Sequence, residues 1–334
     1  MLEELRHAVD EILLDFFAER ARRWPRAEDR PLFEAAESLT RRGGKRLRAA
    51  LVHAGHVAAG GDAPIRAIAQ VGAAFELLQT YLLVQDDWMD GDLVRRGGPA
   101  VHAQLRTLHA DEHLADAVAI LASDLAAGQA WWLLSRAPFP AERLLFALEG
   151  FAEMHEEVVV GQHLDLLGDA DVERVHTLKT AGYTVAWPLR VGARLAGARA
   201  EVEASLATLG ARLGRTFQVR DDVLGTFGEP ADTGKPVAND LRHGKETAVI
   251  AEARARNLLI EDVVLAAFGV PDADDDAARR ARDFLAQRGV EEALEARIAG
   301  ELEGILAEIE VAPLTAAGRT MLAALATRLT QRRA

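Results

Sequence analysis

One large all-α domain is the fold that this sequence predicts, and three observations carry the prediction. Ala, Leu, Glu and Arg dominate, and apolar residues recur three and four positions apart, the period of a helix with one buried face. Strand-like alternation bounded by turn residues is scarce. The breaks are short: Pro25, Gly43-Gly44, Gly60-Gly61, Gly97-Gly98-Pro99, Pro138 to Pro140, Gly168, Gly225 to Pro236, and Val270-Pro271. No low-complexity linker divides the chain and no repeat of about 20–50 residues is visible, so residues 1–334 read as a single domain.

Composition narrows the function classes. Hydrophobic residues make up 49% of the 334, enough for a sizeable core. The balance of 52 acidic against 39 basic residues gives a net charge of −13, the wrong sign for general nucleic-acid binding. With no cysteine, disulfides, thiolate metal sites and cysteine nucleophiles are excluded. The N-terminus is acidic and amphipathic, with Leu2, Leu5, Val9, Ile12 and Leu13 at helical spacing, unlike a signal peptide. No stretch approaches the ~18 uninterrupted apolar residues of a spanning helix. A cytoplasmic protein without a transmembrane segment is expected.

Two helices stand out. From about Pro64 to Asp90 the residues are apolar on most sides, through Ile68, Val71, Phe75, Leu77, Leu78, Leu82, Leu83 and Val84, which places the helix in a core. It nevertheless ends in Asp86-Asp87-Trp88-Met89-Asp90. A second apolar helix, roughly Val202 to Leu224, carries Asp221-Asp222 after Phe217-Gln218-Val219-Arg220.

Asp86 and Asp90 are i,i+4 neighbours whose like charges repel, at a helix C-terminus that already disfavours anions. A divalent cation would offset both costs, and oxygen ligands without His or Cys suit Mg²⁺ bridging carboxylates to a phosphate. Basic elements supply the counterpart. Gly43-Gly44-Lys45-Arg46-Leu47-Arg48 reads as a glycine turn opening a helix, with Lys45 and Arg48 on one face as a diphosphate cradle. Arg95-Arg96-Gly97-Gly98 follows the first acidic motif, Lys179-Thr180 sits on another helix, and Thr233-Gly234-Lys235 and Gly244-Lys245 follow the second.

In GGKRLR, DDWMDGDLVRRGGPAVH, GQHLDL, KTAGY, FQVRDD and TGKPVANDLRHGKET, in that order over roughly residues 30 to 250, the chain resembles the polyprenyl synthetase family, the trans-isoprenyl diphosphate synthases. The resemblance implies an all-α bundle of the isoprenoid synthase type around a central cavity, a homodimer, and three Mg²⁺ ions. It implies condensation of isopentenyl diphosphate with an allylic diphosphate (dimethylallyl, geranyl or farnesyl) by ionisation, condensation and elimination. Asp86 and Asp90 resemble the ligands of two magnesium ions and Asp221 that of the third, with Asp87 and Asp222 in support. Arg95, Lys179 and Lys235 match the groups that grip the allylic diphosphate. Lys45, Arg48 and Arg96 match those that hold isopentenyl diphosphate, Lys245 joins the substrate-binding set, and Gln79 sits where many relatives have His. Thr180, Gln218 and Gln162 match polar groups lining the reacting centre, with Asp165 as a structural partner. His53, His56, His163 and His176 read as packing or surface residues, because the departing pyrophosphate itself serves as base.

Three departures from the family pattern are visible. Gly225 replaces the third Asp of the second motif, with water expected in the gap. Ala49 replaces a common proline, and Gln79 and Gln85 replace common histidines. Product length is expected to be set before Asp86 on the same helix. Leu82 lies four positions and Tyr81 five positions before Asp86, Tyr81 about 7–8 Å below it. Leu78 and Phe75 follow eight and eleven positions before it, Phe75 about 16 Å below at ~1.5 Å per residue. A large aromatic at Tyr81 resembles short-chain synthases, which points to geranylgeranyl diphosphate (C20), with farnesyl diphosphate (C15) as the alternative and a longer-chain product behind both. A class I terpene cyclase fits less well, because His243 stands where the second cyclase motif, beginning at Asn239-Asp240, needs Ser or Thr. A non-catalytic synthase subunit would usually have lost its acidic motifs. Arg332-Arg333 reads as a solvated tail rather than a lid on the site.

Overall fold

The computed structural model describes residues 2–168, 171–228 and 238–332. It is 77% helical, so the all-α prediction holds. Its helices are α1 (Leu2–Arg23), α2 (Arg30–Arg41), α3 (Leu47–Ala58), α4 (Ile65–Asp90), α5 (Val101–Arg106), α6 (Glu112–Ser135), α7 (Ala141–Leu166) and α8 (Val172–His176). After a π-helix over Thr177–Ala186 come α9 (Trp187–Ala196), α10 (Ala200–Phe227), α11 (Asn239–Arg242), α12 (Ala248–Ala255), α13 (Asp262–Leu265), α14 (Asp275–Gln287), α15 (Val290–Val311) and α16 (Ala316–Thr330). The chain divides into two compact units, Met1–Glu153 with Trp187–Glu203, and Met154–Ala186 with Ala204–Ala334.

In the first unit α4 is the central element, packed against α1, α3 and α6. Ile68, Val71, Phe75, Leu77 and Leu78 are fully buried, as expected of a helix apolar on most sides. Close helix crossings are made by glycine. A Cβ on Gly55 of α3 would lie 2.0 Å from Leu189 O of α9, and one on Gly192 of α9 would lie 2.0 Å from Val52 O. Backbone therefore meets backbone where these helices cross. By length and composition α4 and α6 could each cross a membrane. In α4 that apolarity is spent on the protein interior, whereas α6 leaves Leu114, Ile120 and Leu121 exposed.

The second unit has its own apolar core, in which Val219 and Val223 of α10 pack with Val249, Ile250, Leu285, Leu294 and Ile298. Here α10 runs on to Phe227. The predicted break at Gly225 therefore falls inside a helix, and Asp221 and Asp222 lie within it rather than at its end. Strand content among the described residues is one antiparallel pair, β1 (Val94–Arg95) and β2 (Gly98–Pro99). Its two-residue loop, Arg96-Gly97, has φ of 52° and 69°, the left-handed pair that a tight hairpin requires.

Candidate active site

The first acidic motif stands at the C-terminus of α4. Gly91, with φ 71°, caps the helix by donating its N–H to Asp87 O. Asp86 and Asp90 are partly exposed, while Asp87 is fully buried. The hairpin returns Arg95 to the motif. Its Nε donates to Asp87 Oδ1 at 2.5 Å, and Nη2 reaches Asp86 Oδ2 at 3.3 Å and Asp92 Oδ2 at 3.4 Å. Burial raises the Asp87 pKa to about 6 against the opposing pull of Arg95. Asp87 Oδ2 is buried without a hydrogen-bond partner. Arg42 holds the hairpin from behind, its Nη1 donating to Pro99 O at 2.7 Å and Arg95 O at 3.3 Å.

The glycine turn differs from its predicted form. Helix α3 starts only at Leu47, with Arg46 as its left-handed N-cap. Lys45 is therefore an exposed loop residue and Arg48 a buried one in the first helical turn, so the two do not share a helical face. Arg96 joins this turn by donating from Nη1 to Gly43 O at 3.3 Å and Leu39 O at 3.4 Å. The structure thus brings Arg96 to the Gly43–Arg48 segment.

On α4, Gln79 is partly buried, and Gln85 Nε2 donates to Ser123 Oγ of α6 at 3.2 Å. Of the proposed chain-length residues, Tyr81, Leu78 and Phe75 are buried and Leu82 is partly buried. The Phe75 ring meets Phe151 edge-on at 5.3 Å, and Phe151 meets Trp131 at 5.1 Å. Of the four histidines read as packing or surface residues, His176 is partly buried and its charge acts on Asp222. His56 is buried with Nδ1 3.2 Å from Gly192 O and Nε2 accepting from Ala63 N, His53 is buried, and His163 is exposed.

In the second unit Lys179 and Thr180 lie on the π-helix, a rare element that occurs often at functional sites. Gly161 of GQHLDL lets α7 approach it, since a Cβ there would lie 2.4 Å from Lys179 N. Lys179 Nζ donates to Asp165 Oδ2 at 2.5 Å, which gives Asp165 the structural partnership expected of it. Gln162 is partly buried nearby in sequence, on α7.

Within α10, Gln218 Nε2 donates to Asp222 Oδ1 at 2.8 Å, and Ala248 N donates to Asp222 Oδ2 at 2.8 Å. Asp222 is buried, which raises its pKa to about 6 although His176 pulls the other way. Asp221 is ion-paired with Arg332, whose guanidinium also lies 4.5 Å from the Phe217 ring centroid. Burial and Arg220 lower the Arg332 pKa to about 10. The expectation of a solvated tail is therefore corrected for Arg332, while Arg333 lies outside the described residues. The space at Gly225 is also not left to water, because a Cβ there would lie 2.1 Å from Asp240 Oδ2. Lys245 is partly buried after Gly244, its N–H donating to Asp240 O at 3.0 Å. Lys235, with Thr233 and Gly234, lies outside the described residues.

Sequence reasoning missed the contacts of Asp92, Arg42, Glu76, Asp240 and Arg332. Asp92 and Asp240 lie inside quoted motifs but without their partners, whereas Arg42 and Glu76 carry no local signal.

A model of the polyprenyl synthetase family matches residues 29–283. The geranylfarnesyl diphosphate synthase of Aeropyrum pernix is 32% identical over 302 residues, spanning 86% of this chain and 87% of that one. The geranylgeranyl diphosphate synthase of Sulfolobus acidocaldarius is 33% identical over 266 residues, 76% of each chain. A crystal structure of geranylgeranyl pyrophosphate synthase from Corynebacterium glutamicum, complexed with isoprenyl diphosphate and magnesium, superposes with a TM-score of 0.90 at 29% identity, covering 99% of both chains. The chain belongs to the polyprenyl synthetase family. Its chemistry is prenyl transfer, as a prenyl diphosphate synthase of isoprenoid biosynthesis.

Proposed function

We propose that the chain condenses isopentenyl diphosphate with an allylic diphosphate and releases geranylgeranyl diphosphate (C20) as main product. The observation that carries this is the pairing of Asp86 and Asp90 at the end of α4 with Arg95 folded back onto the motif. Asp87 and Asp222 are supporting carboxylates, both buried.

The residues fit magnesium. Asp87 Oδ2 is a buried carboxylate oxygen with no hydrogen-bond partner, and a cationic side chain already sits on Asp221. Mg²⁺ keeps waters and is bound by one or two carboxylates plus substrate phosphates, and Asp86 and Asp90 would supply those carboxylates. Asp86 and Asp90 would hold two ions and Asp221 a third. When bound, magnesium supplies Lewis-acid stabilisation of the departing pyrophosphate.

The other steps belong to the chain. Arg95, Lys179 and Lys235 hold the allylic diphosphate while its C–O bond breaks, and their charge favours the leaving group. Lys45, Arg48 and Arg96 hold isopentenyl diphosphate, with Gln79 as a neutral donor, so that its double bond attacks the allylic cation. Lys245 belongs to the substrate-binding set beside the second motif. Thr180, Gln218 and Gln162 line the reacting centre. The proton lost afterwards goes to pyrophosphate, so no protein base is required.

Burial of Tyr81, Leu78 and Phe75 on α4, with Phe75 backed by Phe151 and Trp131, supports a floor for the growing chain. The exposed Leu114, Ile120 and Leu121 of α6 support a homodimer interface. We place the enzyme in the cytoplasm and read residues 1–334 as one catalytic domain.

Incubation of the purified protein with isopentenyl diphosphate, farnesyl diphosphate and Mg²⁺, followed by chromatography, tests the reading. A C20 diphosphate is expected, and no condensation with any allylic primer would reject it. Tyr81→Ala is expected to lengthen the product by at least one isoprene unit, and unchanged length would remove Tyr81 from the floor.

A further inference from the structure

Arg46 lies between two cations assigned to isopentenyl diphosphate, yet its guanidinium is directed into the protein. The residue is 6% exposed. Its Nε donates to Asp10 Oδ1 of α1 at 2.8 Å, and its Nη1 to Glu76 Oε2 of α4 at 2.7 Å. Nη1 and Nη2 each reach Thr40 O of α2 at 3.3 Å. One side chain thus ties three helices together. Glu76 is 3% exposed, and a carboxylate buried to that extent is costly unless a partnered cation faces it.

The backbone of Arg46 explains why so many partners meet there. Its φ and ψ are 45° and 42°, the left-handed region, which a non-glycine residue enters only at a cost in energy. Such a conformation persists where the surroundings over-determine it. Here the fork of the guanidinium does so. The same residue is the N-cap of α3, and no side chain caps the helix in its stead. The left-handed turn sends Lys45 outward into an exposed loop and starts the helix that carries Arg48. Gly44 is part of the same fit, because a Cβ on it would lie 3.0 Å from Arg46 Nη1.

We infer that the Arg46–Glu76 ion pair, with Asp10 and Thr40 O, is a positioning device that sets the Lys45–Arg48 turn in the pose that receives the diphosphate of isopentenyl diphosphate. The inference rests on the reading of Lys45 and Arg48 given above. Glu76 also places this anchor on α4, ten positions and so about 15 Å before Asp86. The turn and the first acidic motif are thereby referenced to one rigid helix.

A role of this kind has a signature distinct from general destabilisation. Arg46→Lys keeps the charge but loses the fork, Glu76→Gln keeps the shape but loses the charge, and Asp10→Asn removes only the half-exposed partner. For Arg46→Lys and Glu76→Gln the KM for isopentenyl diphosphate is expected to rise about tenfold, with the allylic KM and kcat changed less than about threefold. Asp10→Asn, whose site can accept the change without unfolding, is expected to raise that same KM by about two- to threefold. Thermal melts and direct calorimetric titration of isopentenyl diphosphate accompany the kinetics. A fall in melting temperature with all three kinetic constants scaled together, or an unchanged KM in Asp10→Asn and Arg46→Lys, would overturn the inference. Failure of the wild-type protein to bind isopentenyl diphosphate would instead overturn the assignment of Lys45 and Arg48.

Discussion

The two acidic motifs solve the same electrostatic problem with different materials. In the first, the buried Asp87 is neutralised by Arg95, eight positions later, delivered by a hairpin that starts as soon as α4 ends. In the second, the buried Asp222 accepts hydrogen bonds from neutral donors, Gln218 one turn earlier and the Ala248 amide. Among the described residues its cationic help is the through-space charge of His176. The exposed acids differ as well. Asp86 has Asp90 at i+4, whereas Asp221 has Gly225 there, with the carboxylate of Asp240 in the space a side chain would fill. The first motif is complete within a stretch of ten residues. The second is assembled from α10, α11, the start of α12 and the C-terminus. A motif can therefore lose a residue from its signature and still keep its charge, provided that another segment returns it.

The comparison breaks most readily at the ligands themselves. Asp86→Ala and Asp221→Ala are each expected to lower kcat by at least about 10³-fold, on the scale of losing roughly 4 kcal/mol of transition-state stabilisation. Steady-state kinetics at saturating substrate and a titration of Mg²⁺ measure it. A loss below tenfold at Asp221 would show that the second motif is not a ligand site.

The next effect separates the two modes of neutralisation. Arg95→Gln leaves the Asp87 carboxylate buried beside no cation, and breaking a buried ion pair from one side costs about 3–5 kcal/mol. Gln218→Ala removes one hydrogen bond to Asp222, at about 1.5–3 kcal/mol. Denaturant unfolding of the metal-free protein should rank Arg95→Gln as the more damaging. Adding Asp87→Asn to Arg95→Gln should recover much of the loss, because the stranded charge is gone. Equal effects at Arg95 and Gln218 would mean that the cation contributes no more than a neutral donor does.

This contrast also explains what was legible in the sequence. The first motif is legible as a run of residues, since helix α4, its acids and Arg95 follow one another in the chain, but the pairing of Arg95 with Asp87 is not. The extent of α4 was predicted to within one residue, because an apolar run ending in carboxylates admits few alternatives. The end of α10 lies beyond its predicted place, because Gly225 reads locally as a breaker although the Asp240 carboxylate occupies the space its side chain would enter. Lys45 was placed on a helical face because the left-handed turn at Arg46, a non-glycine residue, has no local signature. Glu76 and Asp10 could not be paired with Arg46 from the sequence, since nothing in a helical pattern records which buried acid meets which arginine.

Gly225→Asp sharpens the same point, since it restores the acid that the signature lacks. Where only water filled the gap, the substitution would be neutral or favourable. With a Cβ only 2.1 Å from Asp240 Oδ2, it is expected to destabilise by about 1–3 kcal/mol and weaken Mg²⁺ dependence of activity. Combined with Asp240→Gly, which returns the space and keeps the number of carboxylates, it should recover stability and most of the activity. Improvement by Gly225→Asp alone would show that Asp240 does not hold that position in solution.

The smallest effect is expected at the C-terminus, where Arg332 lies on Asp221 and against Phe217. A metal ion and a guanidinium compete for the same carboxylate, so binding at the second motif has to displace Arg332. The pair is partly exposed, with side-chain accessibilities of 23% and 35%, and so is screened by solvent. Arg332→Gln should therefore lower the Mg²⁺ concentration for half-maximal activity by about two- to fivefold, the equivalent of a surface ion pair of at most about 1 kcal/mol. At the first motif the arginine is Arg95, which sits chiefly on the buried Asp87 rather than on Asp86. Arg332→Gln should accordingly leave Mg²⁺ binding there unchanged, which a titration in the Asp221→Ala background measures. A shift of the same size in that background would place the effect of Arg332 outside the second motif.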